Sequence, residues 1–553
     1  MTWTGYDLPS DPDSYEDLRD GFAWRVPATY NLADHALSGP ADRLALSHVP
    51  EGAVDAPDRT RTLTYGDLDS ASATLAARLA ESGVGRGDRV AVCLPQCPEL
   101  VVAHLAVLRL GGVVVPVSML VGDDSFAHLL AHSDATALIV DAVRWESAED
   151  GLPGPSTVLS VTVDSGNDAL GGLAAHTENV EAPADPPMVA TSPSDPAMIL
   201  YTSGSTSDPK GVLQSHQYLL GSLPGYHCWF GLFDEAAARR ARAWTPSEWA
   251  WAGALFDVVF PTLAVGGTVV SSVRRRGFDA ERALTLAEAQ GVTHAFLPPT
   301  ALRTIRNEAD PAPTAVPDLE AVMCGGEPLP AAVSSWAEAT LGVTVSESYG
   351  QTEANALVGE VAGVYRTDEA LGRAYPGHDI VLVDDDGAAV PTGETGEIAV
   401  VRPDPVVMSE YVGDPAATDA VLSDEFLRTG DLGRFDADGT LTHLGRKDSV
   451  IITSGYRVSP LEVEGVLSDH PAVAAVRVEG EPDPERGQRV VAFVVPAADA
   501  TATDDLAAAL RSTVADHLGP HKRPRRIAFV EELPTTRTGK TDRSGALDDG
   551  EGA

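Results

Sequence analysis

Tyr201-Thr-Ser-Gly-Ser-Thr-Ser-Asp-Pro-Lys-Gly211 packs small hydroxyl residues, two glycines and one lysine into a single turn-rich segment. The apolar run ending at Leu200 predicts a buried strand before it, and Val212-Leu213 predicts the start of another. A loop held between two strands exposes backbone N–H groups and hydroxyls with nothing bulky in the way. Phosphate oxygens favour such a surface. The Gly-Lys-Ser/Thr run that opens a helix in a Walker A loop is absent.

The lysines sharpen that reading. The chain has four, Lys210, Lys447, Lys522 and Lys540, against 35 arginines. Lysine is normally among the commonest residues. Wherever it survives such depletion, a need for it is expected. Lys210 sits in the loop above, Lys447 in Gly445-Arg-Lys-Asp-Ser449 and Lys540 in Thr536-Arg-Thr-Gly-Lys540. Lys522 sits in a plain basic cluster with Arg523 and Arg525, which makes that cluster a weak candidate for binding phosphates.

At 553 residues, two or more domains are expected. The net charge of −42 is spread along the chain, which argues against a nucleic-acid partner or an anionic membrane surface. Acidity with lysine loss suggests adaptation to a salt-rich cytoplasm, as in halophilic archaea. At about 1 M salt the Debye length is roughly 3 Å, so self-repulsion of this size is tolerable. Cys93, Cys97, Cys228 and Cys324 form no paired sets with zinc spacing and suit a reduced, cytoplasmic setting. Met1-Thr-Trp-Thr-Gly-Tyr-Asp7 has neither the basic nor the apolar region of a signal peptide. No apolar run is long enough to predict a transmembrane helix.

Thr64-Tyr-Gly-Asp67 reads as a capping box opening a helix to about Glu81. Arg89 to Leu94 reads as a strand, Glu99 to Leu110 as a helix and Val113 to Val117 as the next strand. This alternation predicts a parallel sheet, and it returns between about Ala250 and Tyr349. Residues 141–195, rich in Gly, Pro, Ser and acids, read as a surface excursion. From about 371, short apolar runs punctuated by turns predict a small barrel or distorted sheet. A smaller α+β unit is expected from about 450, with fraying after Leu547.

Several segments resemble, in order, the motifs of the adenylate-forming enzymes, the superfamily of acyl-CoA synthetases, luciferases and peptide-synthetase adenylation domains. Residues 201–211 resemble its phosphate loop, which implies ATP contacts from Thr202, Ser203, Gly204, Ser205, Thr206 and Lys210. Cys324-Gly-Gly-Glu-Pro328 resembles the adenine-site loop, implying roles for Gly326, Glu327 and Pro328, with Gly325 near the acyl group. Two glycines there let a planar ring approach the backbone. Glu347-Ser-Tyr-Gly-Gln-Thr-Glu353 implies further contacts through Ser348, Gly350 and Gln351. Tyr349 would stack on adenine, Glu347 would meet its amino group and Thr352 would meet the α-phosphate. Glu353 is a hard oxygen ligand for Mg2+ held with ATP. Arg428-Thr-Gly-Asp-Leu432 places Asp431 in a turn, where it would accept both ribose hydroxyls.

In Gly445-Arg-Lys-Asp-Ser449 the resemblance implies that Arg446 contacts the nucleotide and Asp448 is a hinge. The family often has a second acid where this chain has Ser449. Ser454-Gly-Tyr-Arg-Val-Ser-Pro460 resembles the segment facing the site during thioester formation, implicating Gly455, Tyr456 and Arg457 with CoA. Lys540 resembles the catalytic lysine that neutralises charge between carboxylate and α-phosphate. Trp244-Thr-Pro-Ser-Glu-Trp-Ala-Trp251 is similar to the acyl-pocket segment of acetyl- and medium-chain acyl-CoA synthetases, with Trp251 as a wall. Acetate-specific relatives place tryptophan at the position of Gly350, so glycine implies a pocket left open for a longer or branched acid.

The implied fold is α/β: a large N-terminal domain of stacked parallel-sheet subdomains plus a small β-barrel-like subdomain, with a small mobile α+β C-terminal domain. The expected boundaries are 1–444, a hinge at 445–449, and 450–553. The implied activity is ATP-dependent conversion of a fatty or branched short- to medium-chain carboxylic acid to acyl-AMP and then acyl-CoA. An aryl-CoA ligase or a standalone adenylation enzyme loading a carrier protein is the alternative. The chain ends soon after Lys540 with no appended carrier segment, which favours free CoA. A catalytically silent nucleotide-binding protein would be expected to lose Lys540 or Glu353. A homo-oligomer is possible.

Overall fold

Thr64 caps the helix Tyr65–Glu81 through its hydroxyl, and Asp67 reaches back to the Thr64 N–H at 2.8 Å, the reciprocal box expected from the sequence. The computed structural model describes residues 2–534 apart from 55, 57–58, 149–154, 156, 164–187, 203–208, 274–276, 310, 312–314, 368–369, 455, 484–485 and 498–499.

Two large sheets form among the described residues. One has seven strands, with Pro196–Thr202, Val113–Pro116, Arg89–Cys93, Ala137–Asp141 and Thr157–Val161 running side by side in parallel. Lys210–Ser215 adds antiparallel to Pro196–Thr202, and Glu410–Tyr411 closes that edge. The other sheet has nine strands, built on the parallel series Thr344–Tyr349, Ala321–Gly325, His294–Phe296, Arg242–Trp244, Thr268–Ser272 and Leu44–Val49. Parallel strands covered on both faces read as near-continuous apolar runs, as Val113–Pro116 and Ala137–Asp141 do.

The helices Pro98–Arg109 and Tyr218–Phe230 are buried at every residue. A helix that is apolar all round belongs inside the molecule. They share one core with both sheets, joining Leu46, Val90, Leu105, Leu200, Tyr226 and Met323. Trp249 belongs to it as well, and Trp244 packs in a neighbouring cluster, so two tryptophans of the 244–251 segment are structural.

One expectation is corrected. Residues 141–195 are not wholly a surface excursion: Ala142–Ala148 is a helix, and Thr157–Val161 is an edge strand that buries Leu159 and Val161. Of the barrel or distorted sheet expected from about 371, the sheet forms: Ile380–Val383, Thr395–Val401, Phe426–Phe435 and Leu441–Arg446 pair in that order, antiparallel throughout.

The smaller C-terminal domain is a sheet of Tyr456–Val458, Ile451–Thr453, Gly487–Pro496, Val473–Asp483 and Arg526–Phe529. The helices Pro460–Ser468 and Asp504–Leu518 bury Val463, Leu467, Leu510 and Val514 against it. Gly445, at φ +94°, turns the chain close to Leu461 at the start of that first helix, where a Cβ would lie 3.3 Å from the leucine. The left-handed conformation there suits glycine. The fraying expected after Leu547 falls outside the described residues.

Candidate active site

The C-terminal end of Thr344–Tyr349 delivers the chain into a turn at residues 350–356, and this turn gathers the site. On one side lies Asp431, nearly buried. It accepts hydrogen bonds from Tyr349 Oη at 2.7 Å and Gln351 Nε2 at 2.5 Å. Arg446 Nη1 approaches to 3.6 Å and His443 Nε2 to 3.7 Å. Burial alone would raise the Asp431 pKa. His443, Arg446 and the Tyr349 hydroxyl outweigh it and hold the carboxyl below its ordinary value. It therefore stays ionised and can accept a pair of hydroxyls. Asp431 lies within the strand Phe426–Phe435, not in the turn expected from its sequence; Gly430 at φ +72° supplies a bend inside the strand. Asp431 pairs directly with Arg446, which also donates to Thr429 O at 2.9 Å.

On the other side of the turn, Glu353 Oε1 accepts from Tyr411 Oη at 2.6 Å. Lys210 Nζ stands 5.0 Å from the centre of the same tyrosine ring. The strand pairing Val212↔Tyr411 fixes this arrangement. Thr352 is held by its carbonyl, which accepts from Gln214 Nε2 at 2.6 Å and Tyr218 Oη at 3.1 Å. Its backbone is thereby anchored while its hydroxyl carries no part of the anchoring. A cation beside a lone carboxylate suits a phosphate chain. Among the described residues there is no cluster of three or more metal-ligating side chains. One carboxylate together with substrate phosphates is nevertheless a fitting set for Mg2+, which keeps several waters.

Glu347 accepts from Leu329 N at 3.2 Å, which ties the 325–328 loop to the 347–353 run. Burial pushes its carboxyl up to about 7. Glu327 is paired with Arg303 at 3.3 Å. Gly326 adopts φ +84°, and Pro328 is exposed beside it. Gly325 and Ser348 are register partners, and a Cβ on Gly325 would lie 2.8 Å from Ser348 O.

Gly350 requires a correction. A Cβ there would lie 2.5 Å from Ala356 N and 3.0 Å from Asn355 Cα, so the space beside it is filled by backbone and is not an open pocket. Gly350→Ala is expected to cost about 1–3 kcal/mol of stability, as overpacking does. Gly350→Trp should lose activity with every acid without switching to short ones. Thermal melting and acid-dependent pyrophosphate release check both. Trp251 is half-buried and begins the short helix Ala252–Ala254.

The remaining expected residues are spread out. Thr202 pairs with Lys210; Ser203, Gly204, Ser205 and Thr206 lie outside the described residues, as do Gly455 and Lys540. Asp448 is exposed in the short helix Lys447–Ser449. Lys447 reaches Asp385 at 2.7 Å and Glu397 at 3.1 Å, hydrogen bonds that raise its pKa and clip the chain just before Asp448. Tyr456 is exposed and stacks near His521 at 4.9 Å, and Arg457 lies in the same strand. Lys522 is paired with Glu462 at 2.6 Å. Tyr411, His443, Gln214 and Thr429 were not anticipated. Tyr411 reaches the site from a segment with no motif around it, whereas Gln214, Thr429 and His443 lie in or beside quoted motifs but join the site through tertiary contacts.

Comparison with known proteins follows this geometry. The profile described as AMP-binding enzyme matches residues 33–412, and that of the AMP-binding enzyme C-terminal domain matches residues 462–540. The mitochondrial acyl-coenzyme A synthetase ACSM4 of Rattus norvegicus is 34% identical, over 84% of this chain and 80% of its own. The mitochondrial acyl-coenzyme A synthetase ACSM3 of Mus musculus is 29% identical, over 97% of this chain and 93% of its own. Among solved structures, a benzoate CoA ligase from Burkholderia xenovorans LB400 superimposes with a TM-score of 0.79 at 26% identity, covering 93% of this chain and 99% of the other.

Proposed function

Because the chain belongs to the family of AMP-binding enzymes, we propose that it is an AMP-forming acyl-CoA synthetase acting on a short- to medium-chain carboxylic acid. The observation that carries this is the single turn 349–353. It reaches an ionised, buried Asp431 at one end and the Glu353–Tyr411–Lys210 group at the other. A ribose at the first and a triphosphate at the second would lay the α-phosphate beside Thr352.

In the first half-reaction a carboxylate oxygen attacks the α-phosphorus and pyrophosphate leaves. Asp431 holds the ribose, Tyr349 covers the base, and Lys210 with Thr352 orients the phosphates. Mg2+ bound by Glu353 and the phosphates would neutralise charge there. Lys540 would bridge the carboxylate and the α-phosphate as charge builds. In the second half-reaction the CoA thiol attacks the acyl carbon and AMP leaves. The small domain would turn about Asp448 between the two, bringing Gly455, Tyr456 and Arg457 to the cleft. The domain limits proposed from the sequence, 1–444 and 450–553 about 445–449, suit this motion. The similarity to a mouse acyl-coenzyme A synthetase over 97% of this chain supports free CoA as the acceptor.

Pyrophosphate release against acids of rising chain length tests the reading. Release with short- to medium-chain aliphatic acids, exceeding that with aromatic ones, is the expected pattern. Release only with aromatic acids would favour the aryl-CoA reading, toward which the benzoate CoA ligase likeness points.

We also propose a salt-rich cytoplasm as the working environment. With a net charge of −42, the melting temperature should climb as KCl is raised from about 0.05 M to about 1 M, where the Debye length shrinks from beyond 10 Å to roughly 3 Å. A flat response in differential scanning fluorimetry would contradict it. Among the described residues no helix is long and apolar enough to cross a membrane.

A further inference from the structure

Asp257 is a buried carboxylate that makes no ion pair among the described residues, and no part of the reaction above uses it. It lies in the π-helical turn Leu255–Val259, which interrupts the helical run between Ala252 and Ala264. Such a turn inserts one residue and redirects the side chains around it, and it occurs frequently at functional sites. Asp257 Oδ1 accepts from Asn355 Nδ2 at 2.5 Å. Burial pushes its carboxyl up to about 7, and the Asn355 bond opposes that rise. A buried acid of this kind costs stability unless something compensates for it.

Asn355 belongs to the turn that carries Thr352 and Glu353. That turn is wound tightly. Gly350 has no room for a side chain, and Ala356 is held at φ +52°, a conformation costly for a residue with a Cβ. Its hold on the π-turn is doubled. Phe256, beside Asp257, packs edge-on against Tyr218 at 4.6 Å between ring centres, and Tyr218 Oη donates to Thr352 O. Asn355 also lies 3.4 Å from Ser222 Oγ on the helix of Tyr218. The π-turn therefore holds the turn at residue 355 directly and at residue 352 through Tyr218.

We propose that Asp257, acting through Asn355, is the positioning residue for Thr352 and Glu353, tying the segment that begins at Trp251 to the nucleotide loop. This rests on the reading of Thr352 and Glu353 as the phosphate-side residues. The tether fixes the turn in the strained form that presents the Thr352 hydroxyl and the Glu353 carboxylate together. Asp257 would act through Asn355, without a contact of its own to acid or nucleotide.

The test uses the full-length protein and two readouts, MgATP binding by calorimetry and acid-dependent ATP–pyrophosphate exchange. Asp257→Leu keeps apolar volume but removes the acceptor, and Asn355→Ala removes the donor. Each is expected to weaken MgATP binding and lower the exchange kcat by about tenfold or more, the scale of one hydrogen bond to a charged group, with the KM for the acid changed by less than about threefold. Asp257→Asn, which keeps an oxygen facing Asn355, should stay within about threefold of wild type. A purely structural role would make damage follow the loss of melting temperature, so Asp257→Asn as impaired as Asp257→Leu would overturn the proposal. Wild-type behaviour of both Asp257→Leu and Asn355→Ala would overturn it too. Should Asp257→Leu fail to fold, Asn355→Ala and Asp257→Asn decide between the same outcomes. Wild-type protein that binds MgATP yet exchanges with no acid would defeat the acyl-activation reading, while the binding data would still judge the tether.

Discussion

Lys540→Ala is expected to lower acid-dependent ATP–pyrophosphate exchange by about a hundred- to a thousandfold, the scale of removing one group aimed at developing charge. The same variant should convert supplied acyl-AMP and CoA to thioester at close to the wild-type rate. The reason is the proposed alternation: Lys540 would face the α-phosphate only while acyl-AMP forms, and rotation about Asp448 would then carry its loop away. Lysine is rare in this chain, and two of the other three are engaged in ion pairs, Lys447 with Asp385 and Glu397 and Lys522 with Glu462. Neither is free to substitute. Equal loss of both half-reactions in a variant that remains folded would contradict the alternation. The two rates are measured separately, by labelled pyrophosphate exchange without CoA and by thioester formation from synthetic acyl-AMP.

Asp431→Asn is expected to raise the KM for ATP by about a hundredfold or more. An ionised carboxylate accepting two ribose hydroxyls makes two hydrogen bonds of about 1.5–3 kcal/mol each, and an amide in its place cannot accept both. It would also turn a donor toward Gln351 Nε2, now 2.5 Å from Asp431. The KM for the acid should change little, because the contact lies at the ribose end. Steady-state kinetics with each substrate varied separates the two, and a melting curve controls for folding. An equal rise in both constants would mean that Asp431 supports the site as a whole and does not bind ribose.

What could be read from the sequence was whatever is written locally. The hairpin around 201–211 was legible because its strands are apolar runs immediately flanking a small-residue loop, and both strands form as expected. The Thr64 capping box was legible because its two partners are three residues apart. Tyr411 was not, since the tyrosine and Glu353 are 58 residues apart and meet through a two-residue strand. His443 reaches Asp431 only through a neighbouring strand. Asp431 itself was recognised, but Gly430 beside it suggested a turn where the structure has a bend within a strand. Gly350 misled for a related reason. A glycine in a motif suggests space, whereas here it marks the closest approach of two backbone segments. Thr157–Val161 was hidden by the Gly-, Pro- and acid-rich composition around it, which outweighed five residues of strand. Asp257 carries no motif of its own, and its significance appears only once the π-turn sets it against Asn355.

In the proposed reaction a carboxylate oxygen attacks the α-phosphorus of ATP. Supplying an accepted acid labelled with heavy oxygen in its carboxylate, together with ATP and CoA, and weighing the nucleotide product by mass spectrometry tests this directly. AMP carrying one labelled oxygen per molecule is expected, because the bond broken by CoA is the one between the acyl carbon and that oxygen. Unlabelled AMP, or ADP as the nucleotide product, would contradict it.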